Sequence, residues 1–386
     1  MKLRDICDGI TDGSHNPPQG IDSSEYFMLS SKNIFDNNIT LDEPRYLTEE
    51  QFASENKRTQ IASGDVLMTI VGTVGRAAVV DESLPSIVLQ RSVAVLHPKK
   101  EICDSRYLMY ALRSKRAAFE KEAHGVAQKG IYLKQLSDTE IELPEKDEQI
   151  KVVELLDKMD RVISLGQQEL DALDELIKAR FVEMFGDVAT EDYKYETKKL
   201  GTVAEVGSSH RVFTSEFVEE GIPFYRGTEI GELANGQKPS DPYYISEEHY
   251  NRLANDETKP KVGDLLMPSI CNKGQVWMVD TDDPFYYKDG RVLCISPDRE
   301  IYNPKYLQYF MRVKTQVEYP KMGSGSTFAE FKIFLLKDFD ILTPPRTIQD
   351  EFTAFVEQVD KSKVAVQKSL DEAQLLFNSL MQVYFG

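Results

Sequence analysis

The chain has 386 residues, too many for one typical core, so two or more domains are expected. With 41% hydrophobic and 28% charged residues it is composed like a folded globular protein, which excludes disorder as its main state. The formal net charge of −18 opposes any partner made of phosphate unless that charge is unevenly spread.

In chain order, residues 1–15 carry no long apolar run, so no signal peptide is expected, and nothing later offers ~18 consecutive apolar residues for a membrane span. Cys7, Cys103, Cys271 and Cys294 stand apart, with no CxxC spacing, and the five histidines do not cluster with them. That pattern predicts no zinc site and a reducing, cytoplasmic setting. Short β-rich runs at 66–71, 77–80 and 92–96 are separated by Gly, Pro and Asp turns. A helix-like stretch follows at 105–122.

The text then repeats. Gly64-Asp65-Val66-Leu67-Met68 returns as Gly263-Asp264-Leu265-Leu266-Met267, and Arg106-Tyr107-Leu108-Met109-Tyr110 as Lys305-Tyr306-Leu307-Gln308-Tyr309. Pro144 with Gln149 returns as Pro344 with Gln349, and Phe185-Gly186 as Phe385-Gly386. An offset of 199 or 200 residues held across so many landmarks marks a tandem duplication of whole domains.

Each repeat ends in a seam with spacings of four and three. The first runs Val152, Leu156, Met159, Ile163, Gly166, Leu170, Leu173, Ile177, Arg180, Met184. The second runs Phe352, Val356, Val359, Lys363, Val366, Leu370, Ala373, Phe377, Leu380, Tyr384. A 3.5-residue period sustained this far predicts two coiled-coil helices that pair with each other. A tandem repeat paired through equivalent surfaces tends to pseudo-twofold symmetry, which makes the helices antiparallel. A helix of ~36 residues is ~54 Å long, more than one turn of B-DNA at ~34 Å. The expected fold class is α+β: two mixed α/β domains (1–146 and 188–345) joined by two long antiparallel helices (147–187 and 346–386). Those helix segments carry net charges of −6 and −2, so part of the acidity lies where it need not meet a ligand.

This layout resembles the specificity subunits of type I restriction–modification systems. Ile10-Thr11-Asp12-Gly13-Ser14-His15 is similar to the opening of many target recognition domains in that family. So is Gly64–Thr69 running into Gly72-Thr73-Val74-Gly75-Arg76. The stretch Gly323–Thr327, Leu335-Leu336-Lys337-Asp338, Pro344-Pro345 and Gln349 is similar to the family's domain end and helix start. The second repeat lacks a clear Asp-Gly-Ser-His counterpart and has Gly207-Ser208-Ser209-His210-Arg211 nearby. The resemblance implies that each target recognition domain reads half of a bipartite double-stranded DNA site and that the helices set the unread gap. It also implies two modification subunits, which bring S-adenosylmethionine and methylate adenine at N6, and restriction/translocase subunits where present.

Reading DNA calls for Lys, Arg, small hydroxyls and bidentate amides on loops. The resemblance points to Ser14, His15, Thr73, Gly75, Arg76, Gln90, Arg91, Gln128 and Lys129 in the first repeat. In the second it points to His210, Arg211, Arg226, Asn272, Lys273, Lys288, Arg291, Lys321, Ser324, Ser326 and Thr327. Tyr225, Tyr286 and Tyr287 are expected to pack in the core rather than stack on bases.

Chemistry of the chain's own is not expected, nor any cofactor or metal. Asn16-Pro17-Pro18 is followed by Gln19, not the aromatic that would stack on a flipped base, and there is no GxxxxGK[ST] loop. Asp81-Glu82, Asp282-Asp283, Asp241-Pro242-Tyr243 and Asp283-Pro284-Phe285 read as turns. Two rivals remain: an acidic protein–protein scaffold or DNA mimic, and a fused methyltransferase.

Overall fold

A computed structural model describes residues 1–123, 130–254, 258–322 and 329–386. The chain divides into two compact units, Met1–Gln168 with Gln367–Gly386, and Glu169–Val366. The first long helix (Lys146–Phe185) starts in the first unit and ends in the second; the second (Arg346–Phe385) does the reverse. At 1.5 Å per residue each is about 60 Å long.

The first unit is built on strands β1 (Cys7–Asp12), β2 (Phe27–Leu29), β3 (Arg45–Tyr46), β4 (Val66–Thr69), β5 (Ala77–Val79), β6 (Ile87–Leu89) and β7 (Val93–Pro98). One antiparallel sheet has the order β1-β7-β4-β5 and a smaller one the order β3-β2-β6. Every residue of β4 is buried, as its unbroken apolar reading requires for an inner strand covered on both faces. Helix α1 (Glu49–Thr59) starts at a capping box in which Thr48 and Gln51 satisfy each other's backbone amides. Helices α2 (Ser105–Ser114) and α3 (Arg116–Glu122) cover the larger sheet.

The single helix expected over 105–122 is thus two. The chain breaks at Lys115, whose amide bonds three residues back, to Leu112 O at 3.1 Å. The break lets Arg116 reach back to Gly75 O (3.2 Å) and Asp36 (2.5 Å), anchoring the loop after β4.

The second unit repeats the plan with β8 (Ala204–Gly207), β9 (Phe217–Val218), β10 (Ile222–Tyr225), β11 (Tyr243–Ile245), β12 (Leu265–Pro268), β13 (Trp277–Met278), β14 (Tyr286–Tyr287) and β15 (Val292–Pro297). Its large sheet, β8-β15-β12-β13, has the strand order of the first, and a second sheet runs β9-β11-β10-β14. Helix α4 (Gly227–Ala234) packs on β12, and α5 (Pro304–Glu318) occupies the place of α2.

The repeated landmarks have structural jobs. Gly64 and Gly263 both adopt φ +91°, which favours glycine, to turn into the central strand. The next residue caps that turn: Asp65 accepts from Ala62 N (2.7 Å) and Asp264 from Lys261 N (2.8 Å). Gln149 and Gln349, both fully buried, staple each long helix to its own repeat. Gln149 accepts from Asp104 N (2.8 Å) and donates to Ile102 O and Pro144 O, both at 2.8 Å. Gln349 does the same with Asn303 N, Ile301 O and Pro344 O at 2.9–3.0 Å. Each is a buried amide with its donors and acceptor satisfied, the condition for placing one in a core.

All twenty seam positions are buried or half-buried, and neighbours such as Val162, Leu165, Val364 and Leu375 are exposed. Within each unit the two helix segments run antiparallel. Gly166 faces Leu370 in the first; in the second, Asp174 pairs with Lys363 (2.5 Å) and Arg180 with Glu351 (2.8 Å). The two ion pairs account for the charged seam positions, and a Cβ at Gly166 would lie at ordinary contact distance, 3.4 Å, from Leu370 Cδ1. Lys363 and Arg180 keep their charged ends on acidic residues while their stems cover the seam.

Three phenylalanines outside the seam, Phe181, Phe185 and Phe385, and one within it, Phe377, reach into the globular cores. Phe181 and Phe185 continue from Ile177 at intervals of four and enter the second unit's core. Phe377 and Phe385 enter the first. Each globular core is therefore completed by the far end of the other repeat's helix.

Candidate nucleic-acid interface

In the first unit β1 ends where β7 begins, with Asp12 opposite Ala94. β4 ends there too, Thr69 opposite Val93, and β5 starts beside it, Ala77 opposite Met68. The loops 13–15, 70–76 and 90–92 consequently leave from one end of one sheet. Backbone hydrogen bonds lock them together: Gly13 N to Val93 O (3.2 Å), Ser14 N to Leu89 O (2.7 Å) and Arg91 N to Ser14 O (2.9 Å). A Cβ at Gly13 would lie 2.1 Å from Leu89 O, so only glycine fits this crossing. The Asp12 carboxylate holds His15 Nε2 at 2.8 Å and the Arg58 guanidinium, and Arg58 Nε donates to Asp12 O at 2.8 Å.

This end gathers Ser14, His15, Thr73, Gly75, Arg76, Gln90 and Arg91. His15, Thr73 and Arg91 are exposed, Gln90 and Arg76 half-buried, and Ser14 and Gly75 buried within the loop framework. Arg76 lies over the Phe35 ring at 5.0 Å. Gly130 bridges to Val71, and Ile131 N donates to Ile70 O (3.0 Å), so residues 130–131 lie beside the loop after β4. Gln128 and Lys129 lie outside the described residues, as do Ser324, Ser326 and Thr327 of the second repeat.

The second unit has the same sheet end. Gly207 lies opposite Cys294 and Pro268 opposite Val292, which brings together loops 208–211, 269–276 and 288–291. The divergent Gly207–Arg211 stretch occupies the place of the Asp12–His15 loop but is held by hydroxyls. Ser208 Oγ donates to Val292 O (2.9 Å) and accepts from Gly290 N (2.8 Å); Ser209 Oγ donates to Tyr287 O (2.5 Å). Exposed His210 donates its backbone amide to Tyr286 Oη at 2.9 Å. Asn272 and Lys273 are exposed on a turn whose next residue, Gly274, has φ +69° and abuts Arg312 O. Gln275 accepts from Lys273 N (3.0 Å), and Gln316 donates to Lys273 O (2.9 Å), fixing the turn from both sides. Phe331 N donates to Ser269 O (2.7 Å), mirroring Ile131 and Ile70.

Five of the second unit's candidate basic residues are matched with acids. Arg211 and Lys288 share Asp289, and Arg291 contacts Glu330. Lys321 pairs with Glu318 (3.1 Å). Arg226 grips the buried Glu229 and lies 4.2 Å over the exposed Tyr243 ring, which engages its guanidinium. Burial alone raises the Asp289 carboxyl, but hydrogen bonds from Lys288 and Arg211 outweigh it and hold the group below the usual carboxylate range. The same balance, with Arg226 as donor, lowers Glu229. Sequence reading singled out the bases and passed over Asp289, Glu330 and Arg58. The first stands inside Lys288-Asp289-Gly290-Arg291, where alternating charge was the available signal; Arg58 and Glu330 reach their partners only through the fold. Tyr286 and Tyr287 are buried and Tyr225 is half-buried against Phe285 at 5.2 Å, so these rings serve the core as expected.

Among the described residues no three His, Cys, Asp or Glu side chains are grouped to hold a metal ion, and no helix is long and apolar enough to cross a membrane.

The family model for the type I restriction modification DNA specificity domain matches residues 1–175. The chain is 24% identical over 203 residues to the type I restriction enzyme EcoBI specificity subunit of Escherichia coli, covering 51% of this chain and 41% of that protein. It is 25% identical over 173 residues to the putative type I restriction enzyme specificity subunit S.HindORF215P of Haemophilus influenzae, covering 45% and 42%. The matches therefore span about two-fifths of these relatives' own lengths. The S subunit of a type I restriction–modification system from M. genitalium superposes with a TM-score of 0.57 at 14% identity, over 100% of this chain and 95% of that one. A chain from a structure of complex assembly and conformational transition in the type I R-M system superposes with a TM-score of 0.58 at 18% identity, over 100% and 96%. At these identities the likeness establishes the fold.

Proposed function

We propose that this chain, whose residues 1–175 match the family model for the type I restriction modification DNA specificity domain, is a non-catalytic subunit that reads a bipartite double-stranded DNA site. Each unit contributes one reading end, the loop cluster at the end of its four-stranded sheet. The two long helices set the gap and receive two modification subunits, which supply S-adenosylmethionine and methylate adenine. Restriction/translocase subunits join the same assembly where the system has them.

The observation that carries this reading is the duplication of the loop end itself. The same strand ends and the same return of the chain beside the loop after the central strand occur in both units, with different side chains on display. A duplicated frame with divergent contents suits two half-sites of different sequence. The net charge of −18 favours the rival, an acidic scaffold or DNA mimic. One experiment separates them: co-expression with the modification subunit in a host lacking adenine methylation, followed by methylation sequencing. A split motif whose second half alone changes in a variant with Asn272→Ala and Lys273→Ala supports the proposal. Absence of sequence-specific methylation, or a change in both halves, overturns it.

A further inference from the structure

Two carboxylates at the second unit's loop end each sit between two basic side chains. Asp289 has Lys288 Nζ at 3.1 Å on one oxygen and Arg211 Nε at 3.2 Å on the other. Glu330 contacts Arg291 through Oε1 and Lys332 Nζ through Oε2 at 2.6 Å. The two clusters are neighbours, because Ser269 donates to Arg291 O (2.8 Å) and accepts from Phe331 N (2.7 Å). In both, the acid is more buried than its bases: the side chains of Asp289 and Glu330 are 17% and 18% exposed, those of Arg211, Arg291, Lys332 and Lys288 68%, 58%, 53% and 33%.

Ion pairs with partners this exposed add little to stability, so their effect lies in the field they leave at the surface. A phosphate approaching the four bases meets the field of the two carboxylates paired with them. The attraction that a Lys- and Arg-rich loop end would offer any duplex is cancelled in part, while N–H groups not used by the carboxylates stay available to base edges. Phosphate contacts give affinity without sequence information, and base contacts give the sequence.

We infer that Asp289 and Glu330 are specificity-determining residues, which suppress binding of the second reading end to duplexes that offer phosphates but no matching bases. The inference rests on the DNA-reading proposal above and assigns a role to acids that a search for DNA-contacting residues passes over.

The test uses the full chain, a fluorescent 30-base-pair duplex of arbitrary sequence, and anisotropy titrations at several salt concentrations. Asp289→Asn and Glu330→Gln each remove one charge. Glu175→Gln, on an exposed helix face, removes the same charge elsewhere. Each loop variant is expected to bind the duplex about threefold more tightly at low salt, the effect of one unit charge some 6 Å from a phosphate in water. Their salt dependence should steepen, and E175Q should stay close to wild type. In an Arg291→Ala background the gain from E330Q should persist, since the carboxylate's charge acts on the phosphate directly. Asp289→Ser supplies a second charge-removing variant should the amide disturb the Ser208–Gly290 turn. If R291A weakens binding but D289N, D289S and E330Q match E175Q, the inference is overturned and the reading end stands. If R291A and every other variant bind as wild type does, the loop end is not a DNA surface and both fall.

Discussion

Phe377 belongs by sequence to the second repeat and by packing to the first unit. It is 5% exposed, lies 6.2 Å from Tyr110 centroid to centroid, and carries the Arg113 guanidinium 5.2 Å over its ring. Phe181 is its reciprocal: a first-repeat residue, 2% exposed, with Tyr309 at 4.9 Å and Phe352 at 5.5 Å in the second unit. Truncating a buried phenylalanine to alanine costs about 3–5 kcal/mol. At 1.4 kcal/mol per decade, amides that exchange through opening of the damaged unit should speed up between about a hundredfold and a few thousandfold. Hydrogen exchange read by mass spectrometry can assign that loss to peptides. In Phe377→Ala, protection should fall in Val66–Thr69 and in Ser105–Ser114, while Leu265–Pro268 and Pro304–Glu318 keep wild-type rates. Phe181→Ala should give the opposite pattern. If protection is lost in the repeat that contains the mutated residue rather than in the unit that it packs in, the exchange of helix ends is wrong.

Three more outcomes follow from particular contacts. Gly13→Ala places a methyl 2.1 Å from Leu89 O and should separate the 13–15 and 90–92 loops, altering recognition of one half-site only; methylation sequencing that finds both halves unchanged refutes it. Burial pushes Cys7, Cys103 and Cys294 up to about 12 and Cys271 to about 11. A native chain at pH 8 should therefore resist a thiol-alkylating reagent that modifies all four cysteines once unfolded. The unfolded thiols ionise near pH 9 and the folded ones higher, so their contribution is complete below pH 9 and lost as pH rises towards 12; urea midpoints that do not fall over that window contradict this. Finally, four residues added near Gly166 with a matching insertion near Lys363 lengthen each helix by about 6 Å. The recognised gap should grow by one or two base pairs, and a changed half-site with a fixed gap would show that the helices take part in reading.

How much of this was legible in the sequence depends on what kind of information each contact carries. The duplication and the seam were readable because periodicity is a local property, and every seam position is at least half-buried. Periodicity gives a face but no address, however. Nothing local says that Phe181 completes the second core or Phe385 the first. The break at Lys115 was hidden because its cause, the docking of Arg116 on Gly75 and Asp36, comes from residues distant in sequence. Pro144, Gln149 and their copies served as repeat markers, but only the fold reveals buried amides fastening a helix to its domain. The basic loop residues were visible as types; their neutralisation by Asp289, Glu330 and Glu229 was not, and that changes what they offer a ligand.

The exchange of helix ends bears on the order in which a newly made chain can fold. The second unit is one uninterrupted segment, Glu169–Val366, whereas the first needs Gln367–Gly386 before its core closes. During synthesis, Tyr107 and Tyr110 must wait for Phe385 and Phe377, the rings they meet at 5.1 and 6.2 Å. The part translated first is thus the part finished last. A product that stops anywhere in the second repeat leaves apolar surface uncovered in the first unit, a mark by which proteases can remove it.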